Sequence, residues 1–304
     1  MTPQLILGMA MWGWTIPKEN CFRLLDTFYK AGHRALDGAT NYPINKIPDD
    51  FRKSESILLE WINTNGISDL EIMMKVGSIN NLRSPDHNLN KSFLLLNLDD
   101  YLHRFGSNLH TFMIHWDNRN SEAEIRQSLE AFETARDNGL ELGLSGIRHP
   151  ELYAALNEVF RFDFSIQIKH NLLYSDYPRY AAFHGKAGFI TYGINGGGLK
   201  LRSKEYKTGS TLKVRGGQPE VLQPMQKALE ELLNQYQNST KTPVQNFNHC
   251  GMTFAYHSPD VKGILIGPSN VEQLKDSLDF YHKLQNRAYL PVFEQLKQIS
   301  TRNA

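Results

Sequence analysis

The sequence predicts a (β/α)8 barrel. Eight short apolar runs alternate with longer amphipathic segments along 304 residues, no G-x-G-x-x-G follows the first run, and no linker or internal repeat divides the chain. Parallel strands joined by helices produce this alternation, whereas an open doubly wound sheet calls for the glycine-rich turn that is missing. The expectation is a single-domain α/β TIM barrel over residues 1–304, with its active site at the C-terminal face of the strands.

The strand candidates are Leu5–Leu7, Ala35–Leu36, Leu70–Val76, Phe112–Ile114, Leu140–Leu144, Phe164–Ile168, Gly188–Tyr192 and Val261–Ile266. Helical spacing appears between them: Phe22, Leu25, Phe28 and Tyr29; then Ile57, Leu58, Trp61 and Ile62; then Ile125, Leu129, Phe132 and Ala135. Ser121 with Glu124 three residues on reads as a capping box before the last of these. Gly32, Gly66 and Gly139 stand where helices should stop. From Asn195 to Pro219 the rhythm breaks into a glycine-rich, basic stretch. Following the seventh strand, it is expected to be a mobile lid on the active-site face, over an anionic ligand.

Composition excludes several function classes. With 33 Lys and Arg against 32 Asp and Glu, the net charge of +1 leaves no electrostatic footprint for nucleic acid or an anionic membrane. Two cysteines, Cys21 and Cys250, make no disulfide framework and show no zinc spacing. The N-terminal segment lacks a basic region and is broken by Gly8 and Gly13, so it reads poorly as a signal peptide. A soluble cytoplasmic protein is expected, with no membrane or nucleic-acid partner and no metal.

In a barrel, polar residues at strand ends are the functional candidates, because strand interiors must fill the core. Lys75, beside Met73, Met74 and Val76, is costly to bury without an anion, and Asp37 on the neighbouring strand supplies one. A structural ion pair explains those two, but neither His115 nor Tyr42. Together the four make chemical sense. Tyrosine, with a pKa near 10, is a reluctant proton donor. A charged Lys75 held by Asp37 should pull that value down, with His115 orienting a carbonyl oxygen. Nothing in the set is a nucleophile. Proton donation alone suits carbonyl reduction, where a cofactor brings the hydride.

These residues also carry a resemblance to the aldo-keto reductases. The family's D-x-A-x-x-Y appears as Asp37 to Tyr42, its Lys-Val-Gly as Lys75 to Gly77, and its Ile-His-Trp as Ile114 to Trp116. Gly143 to Gly146 resembles G-x-S-N, Gln167 to Leu172 matches Q-x-x-x-N-L, and Tyr192 to Gly198 is similar to the segment after the seventh strand. Gly267 to Leu274 matches the closing Gly-x-Ser-x-x-x-Gln-Leu. The resemblance implies Tyr42 as proton donor, tuned by Asp37, Lys75 and His115. It implies an NADP(H) cofactor, with NAD(H) as the alternative. Ser145 and Gln167 would hold the carboxamide and Tyr192 would stack on the nicotinamide. Gly193, Asn195 and Gly197 would lie along the cofactor, with the basic loop covering its pyrophosphate. Gly267, Ser269, Asn270 and Gln273 would take the adenosine end, where a helix N-terminus is a good phosphate site.

The chain departs from the pattern at Gly146 instead of Asn, at Gly193-Ile194-Asn195 instead of Ser-Pro-Leu, and at Asp276-Ser277 instead of Glu-Asn. No arginine lies between Gly267 and Gln273, so Lys275 is the nearest cation there. The segments 43–53 and 80–90 are expected to line a substrate pocket, with Trp12, Trp116 and Tyr177 as walls. Their polar residues point to a small carbonyl substrate of sugar-like character. Two other functions share these residues: a cofactor-binding sensor with little turnover, and a sugar-modifying enzyme that uses bound cofactor without net redox change.

Overall fold

The computed structural model describes residues 2–200, 211–216 and 223–301. Eight strands close a parallel barrel in chain order: β1 Gln4–Gly8, β2 Ala35–Ala39, β3 Glu71–Val76, β4 Leu109–His115, β5 Glu141–Ser145, β6 Phe164–Lys169, β7 Gly188–Tyr192 and β8 Val261–Ile266. Each lies where the apolar runs place it. Helices α1 Lys18–Lys30, α2 Lys53–Asn65, α3 Lys91–Phe105, α4 Glu122–Asp137 and α5 Pro150–Phe160 follow the first five strands. The β6–β7 connection departs from the simple alternation, carrying only a 3-10 helix at Tyr177–Phe183. The short α6 Thr211–Val214, then α7 Gln223–Tyr236 and α8 Phe247–His257, lead into β8, and α9 Val271–Asn286 and α10 Leu290–Thr301 follow it. No described helix is long and apolar enough to cross a membrane.

Helix ends follow local chemistry. Ser121 caps α4 by accepting the Glu124 N–H at 3.4 Å, and Asn90, Asn246 and Asn270 do the same for α3, α8 and α9 at 2.8–2.9 Å. Gly66 ends α2 in the left-handed conformation at φ 62°, which carries no steric cost for glycine. α2 buries the expected Ile57, Leu58, Trp61 and Ile62. The buried face of α1 is Cys21, Leu24, Leu25 and Phe28, so Phe22 and Tyr29 sit at its border instead.

The core has two parts. A large shell of apolar residues lies between strands and helices, and a small one inside the barrel contains Ile6, Ala35, Met73, Met113 and Ile190. Gly143 belongs to the inner layer by necessity, because a Cβ there would lie 2.4 Å from Met113 Cε and 2.9 Å from the Ser165 carbonyl oxygen. Side chains of a strand alternate between faces, so residues two positions on share a face. Two residues beyond Ala35, Met73, Met113, Gly143, Ser165 and Ile190 stand Asp37, Lys75, His115, Ser145, Gln167 and Tyr192. The strand register keeps them near one level: His115 pairs with Ser145, and Ser145 with Gln167. Strand periodicity thus sets a polar layer on top of an apolar one.

Candidate active site

The polar layer is a connected network. Asp37 accepts hydrogen bonds from the Lys75 ammonium and from the Gln167 amide, both on the same carboxylate oxygen. Ser145 Oγ donates to Gln167 Oε1 at 3.4 Å. Asp37 and Lys75 are 2% and 1% exposed, so this is an ion pair removed from water. Tyr42 comes from the turn after β2. Its N–H donates to the Ala39 carbonyl at 3.1 Å, and its own carbonyl accepts from Ser54 at 3.3 Å. Lys75 Nζ lies 5.1 Å from the Tyr42 ring centroid. The Tyr42 and His115 rings meet edge to face at 6.2 Å and 88°.

Burial and charge oppose each other here. Burial works against the Lys75 charge, but Asp37 and then Tyr42 outweigh it and hold its pKa above the ordinary lysine value. At Tyr42 burial is the largest influence, and the net direction is upward even though the Lys75 charge pulls down. This corrects the expectation of a lowered phenol: burial favours the protonated form of Tyr42. Burial, reinforced by the Lys75 charge, holds His115 well below the usual histidine pKa, so its ring is neutral. Its buried Nδ1 has no hydrogen-bond partner among the described residues. A proton there would be a stranded donor, so we assign the neutral tautomer with the proton on Nε2.

Two cavities share a wall. The first, of 220 Å³, is lined by Asp37, Tyr42, His115, Ser145, Gln167, Tyr192, Gly193, Asn195, Gly197 and Gly267, among others. The second, of 440 Å³, runs over Gly267, Gln273, Asp276 and Lys200, and Asn195, Asn248, Ile266 and Gly267 line both. Ser269 and Asn270 are in neither wall. They are engaged at the start of α9, where Ser269 donates through N–H and Oγ to Gln273 Oε1 at 2.9 Å. The Gly193–Gly198 loop gains its shape from left-handed backbone at Gly193, Gly196, Gly197 and Gly198, and the Asn195 side chain accepts the Gly198 N–H at 3.0 Å.

Several sequence-level expectations change. Tyr177 does not reach the cavity. It hydrogen-bonds Asp260, before β8, at 2.7 Å and stacks on His184 at 3.9 Å, at the opposite end of the strands. Trp12 is fully buried and lines neither cavity. Trp116 does line the first cavity, and Ile44 is the contribution of the 43–53 segment. No residue of 80–90 lines it. Gly146, the position that lacks the family's Asn, has a packing reason. A Cβ there would meet Trp116 Cδ1 at 2.4 Å, and both residues have positive φ.

Of the basic stretch, residues 201–210 and 217–219 lie outside the described residues. Its described arginine, Arg215, lines the first cavity near Tyr42 rather than the second. Sequence reasoning missed Arg215 and also Arg83, which donates to the Arg215 carbonyl at 3.1 Å. A cation in a glycine-rich loop carries no periodicity that would mark where its side chain points.

Comparison with known proteins agrees with this architecture. The profile of the Aldo/keto reductase family matches residues 4–289. The fold is similar to that of the aldo-keto reductase AKR11C1 from Bacillus halodurans, solved in holo form. The two superpose with a TM-score of 0.72 over 98% of this chain and 92% of that one, at 16% identity. A stretch of 78 residues is 31% identical to an uncharacterized 11.2 kDa protein in the crtE 3′ region of Pseudescherichia vulneris, covering 25% of this chain and 76% of that protein. With the family profile spanning nearly the whole barrel, the chain belongs to the aldo/keto reductase family.

Proposed function

We propose that this chain is an NADP(H)-dependent oxidoreductase that reduces a small-molecule aldehyde or ketone to an alcohol. The observation that carries the reading is the convergence of Asp37, Tyr42 and His115 on one 220 Å³ cavity, with Lys75 buried behind them on Asp37. That cavity shares Asn195, Asn248, Ile266 and Gly267 with the 440 Å³ cleft beside α9, as an extended dinucleotide requires.

The donor set fits such a cofactor. Ser145 and Gln167 offer a hydroxyl and an amide to a carboxamide, Tyr192 offers a ring face, and the glycine-rich 193–198 backbone allows close approach. Gln273, in the first turn of α9, lines the far cleft, and a helix N-terminus is a favourable place for phosphate. When bound, the reduced nicotinamide supplies the hydride to the carbonyl carbon. Neutral His115 donates through Nε2–H to the carbonyl oxygen and orients it. Tyr42 gives that oxygen its proton, and the Lys75 charge stabilises the phenolate left behind. Asp37 keeps Lys75 charged and in place.

Replacing Tyr42 by Phe tests the assignment. Turnover of aldehydes is expected to fall by about 10²- to 10⁴-fold, while dinucleotide titration by tryptophan fluorescence stays unchanged. Full turnover by Tyr42→Phe on every carbonyl tried would overturn it. Dissociation constants for NADPH and NADH, measured the same way, give the cofactor preference.

A further inference from the structure

We propose that Arg215 selects carbonyl substrates that carry an anionic group, a carboxylate or a phosphate, away from the reacting carbonyl. The proposal rests on the carbonyl-reductase reading and names the substrate class of that same cavity.

The cavity wall around Tyr42 is otherwise apolar on this side, with Ala10, Met11, Ile16, Ile44 and Trp116. Arg215 is the one cation lining it among the described residues. Among the described residues its Nη2 meets only the thioether of Met11, at 3.2 Å, a weak acceptor. Among the described residues no carboxylate lies within ion-pair distance of Arg215 or Arg83. Arg215 is exposed at the rim of the cavity, open to an incoming ligand, and its planar fork of donors fits carboxylate or phosphate in two-point contact.

The arginine is held in position from behind. Arg83 donates Nε to the Ile44 carbonyl at 2.8 Å and Nη1 to the Arg215 carbonyl at 3.1 Å, and lies 5.2 Å from the Trp14 ring. One guanidinium thus ties the loops after β2, β3 and β7 together at the cavity mouth. Desolvation there weighs against the Arg215 charge, as does Arg83, whereas Tyr42 and Tyr192 favour it. A bound anion relieves both opposing effects. Arg215 lines the first cavity and is absent from the wall of the second. Its partners, Met11 and Arg83, belong to the first three βα loops, while the passage to the second cavity is made by Asn195, Asn248, Ile266 and Gly267.

The test uses matched aldehydes: succinic semialdehyde against its methyl ester, and glyceraldehyde 3-phosphate against glyceraldehyde. Arg215→Gln is expected to lower the acid-to-neutral ratio of kcat/KM by about 10- to 100-fold in one pair, chiefly through KM, with Arg215→Lys in between. The pair that responds names the group. In parallel, succinate and inorganic phosphate are titrated against both proteins by tryptophan fluorescence, and the favoured anion should bind the variant about tenfold more weakly or worse. Ratios and anion affinities untouched by Arg215→Gln overturn the proposal, as does a loss of dinucleotide affinity without a change in the ratios. If neither protein reduces any aldehyde, the reductase reading fails, while the anion titration still decides the role of Arg215.

Discussion

Lys75, from the strand beside Asp37, and Gln167, from the strand across the barrel, donate to the same oxygen of Asp37. Asp37 is therefore the hub of the buried network, and its loss strands two donors at once. Asp37→Leu is expected to cost about 3–5 kcal/mol, the usual penalty for an uncompensated buried charge. The double variant Asp37→Leu/Lys75→Met should be more stable than that single variant, because no charge is left without a partner. Urea unfolding of the three proteins checks both statements. A double variant no better than the single would show that Lys75 sheds its proton or reaches water.

The neutral His115 has a pH signature. Its pKa is held well below the ordinary value by burial and the Lys75 charge, so the ring loses no proton as pH rises through 6–7. The rate of carbonyl reduction should show no limb near pH 6.5. Profiles of kcat/KM for the wild type and for His115→Gln decide it: a limb present only in the wild type would mean that the ring titrates there.

A second histidine governs acid stability. Burial lowers the pKa of His170 to about 4, and the ring is held between Ser175 Oγ at 2.7 Å and Ser258 Oγ at 2.9 Å. The unfolded chain takes up this proton first as pH falls, near 6.5. The stability contributed is present above pH 6.5 and is lost progressively down to about 4, amounting to about 3 kcal/mol. Urea unfolding at pH 7 and pH 4.5 should show a smaller difference for His170→Gln than for the wild type.

Gly146 and Trp116 constrain one another. Gly146→Ala places a methyl group 2.4 Å from Trp116 Cδ1 at a residue whose φ is 68°. A cost of about 1–3 kcal/mol is expected from the left-handed backbone and the displaced ring. Since Trp116 lines the cavity, KM for the carbonyl should change with it. Thermal unfolding and substrate KM, measured together, test the coupling. A variant with both values unchanged would show that Trp116 moves without consequence.

Much of this was legible before the structure. The eight strands are short and apolar, and Lys75 among methionines is a mark that burial makes hard to miss. Other features depend on contacts between distant segments. Glu55 is fully buried in α2 because Arg52, Arg104 and Tyr101 all reach it, a cluster that no spacing in α2 reveals. The rise of the Tyr42 pKa follows from how completely the turn after β2 is enclosed, which residue types alone do not convey. Tyr177 reads as a cavity aromatic until the β6–β7 connection carries it to Asp260.

The chain from Ser145 through Gln167 to Asp37 and Lys75 has a thermodynamic corollary. These four side chains satisfy one another within the chain, whereas His115 Nδ1 and, on the loops after β2 and β3, Asn41 Oδ1 and Ser78 Oγ are buried with no partner among the described residues. The arrangement of these four side chains is therefore set by contacts within the chain itself. Any ligand that binds only the folded chain adds to its melting temperature by mass action.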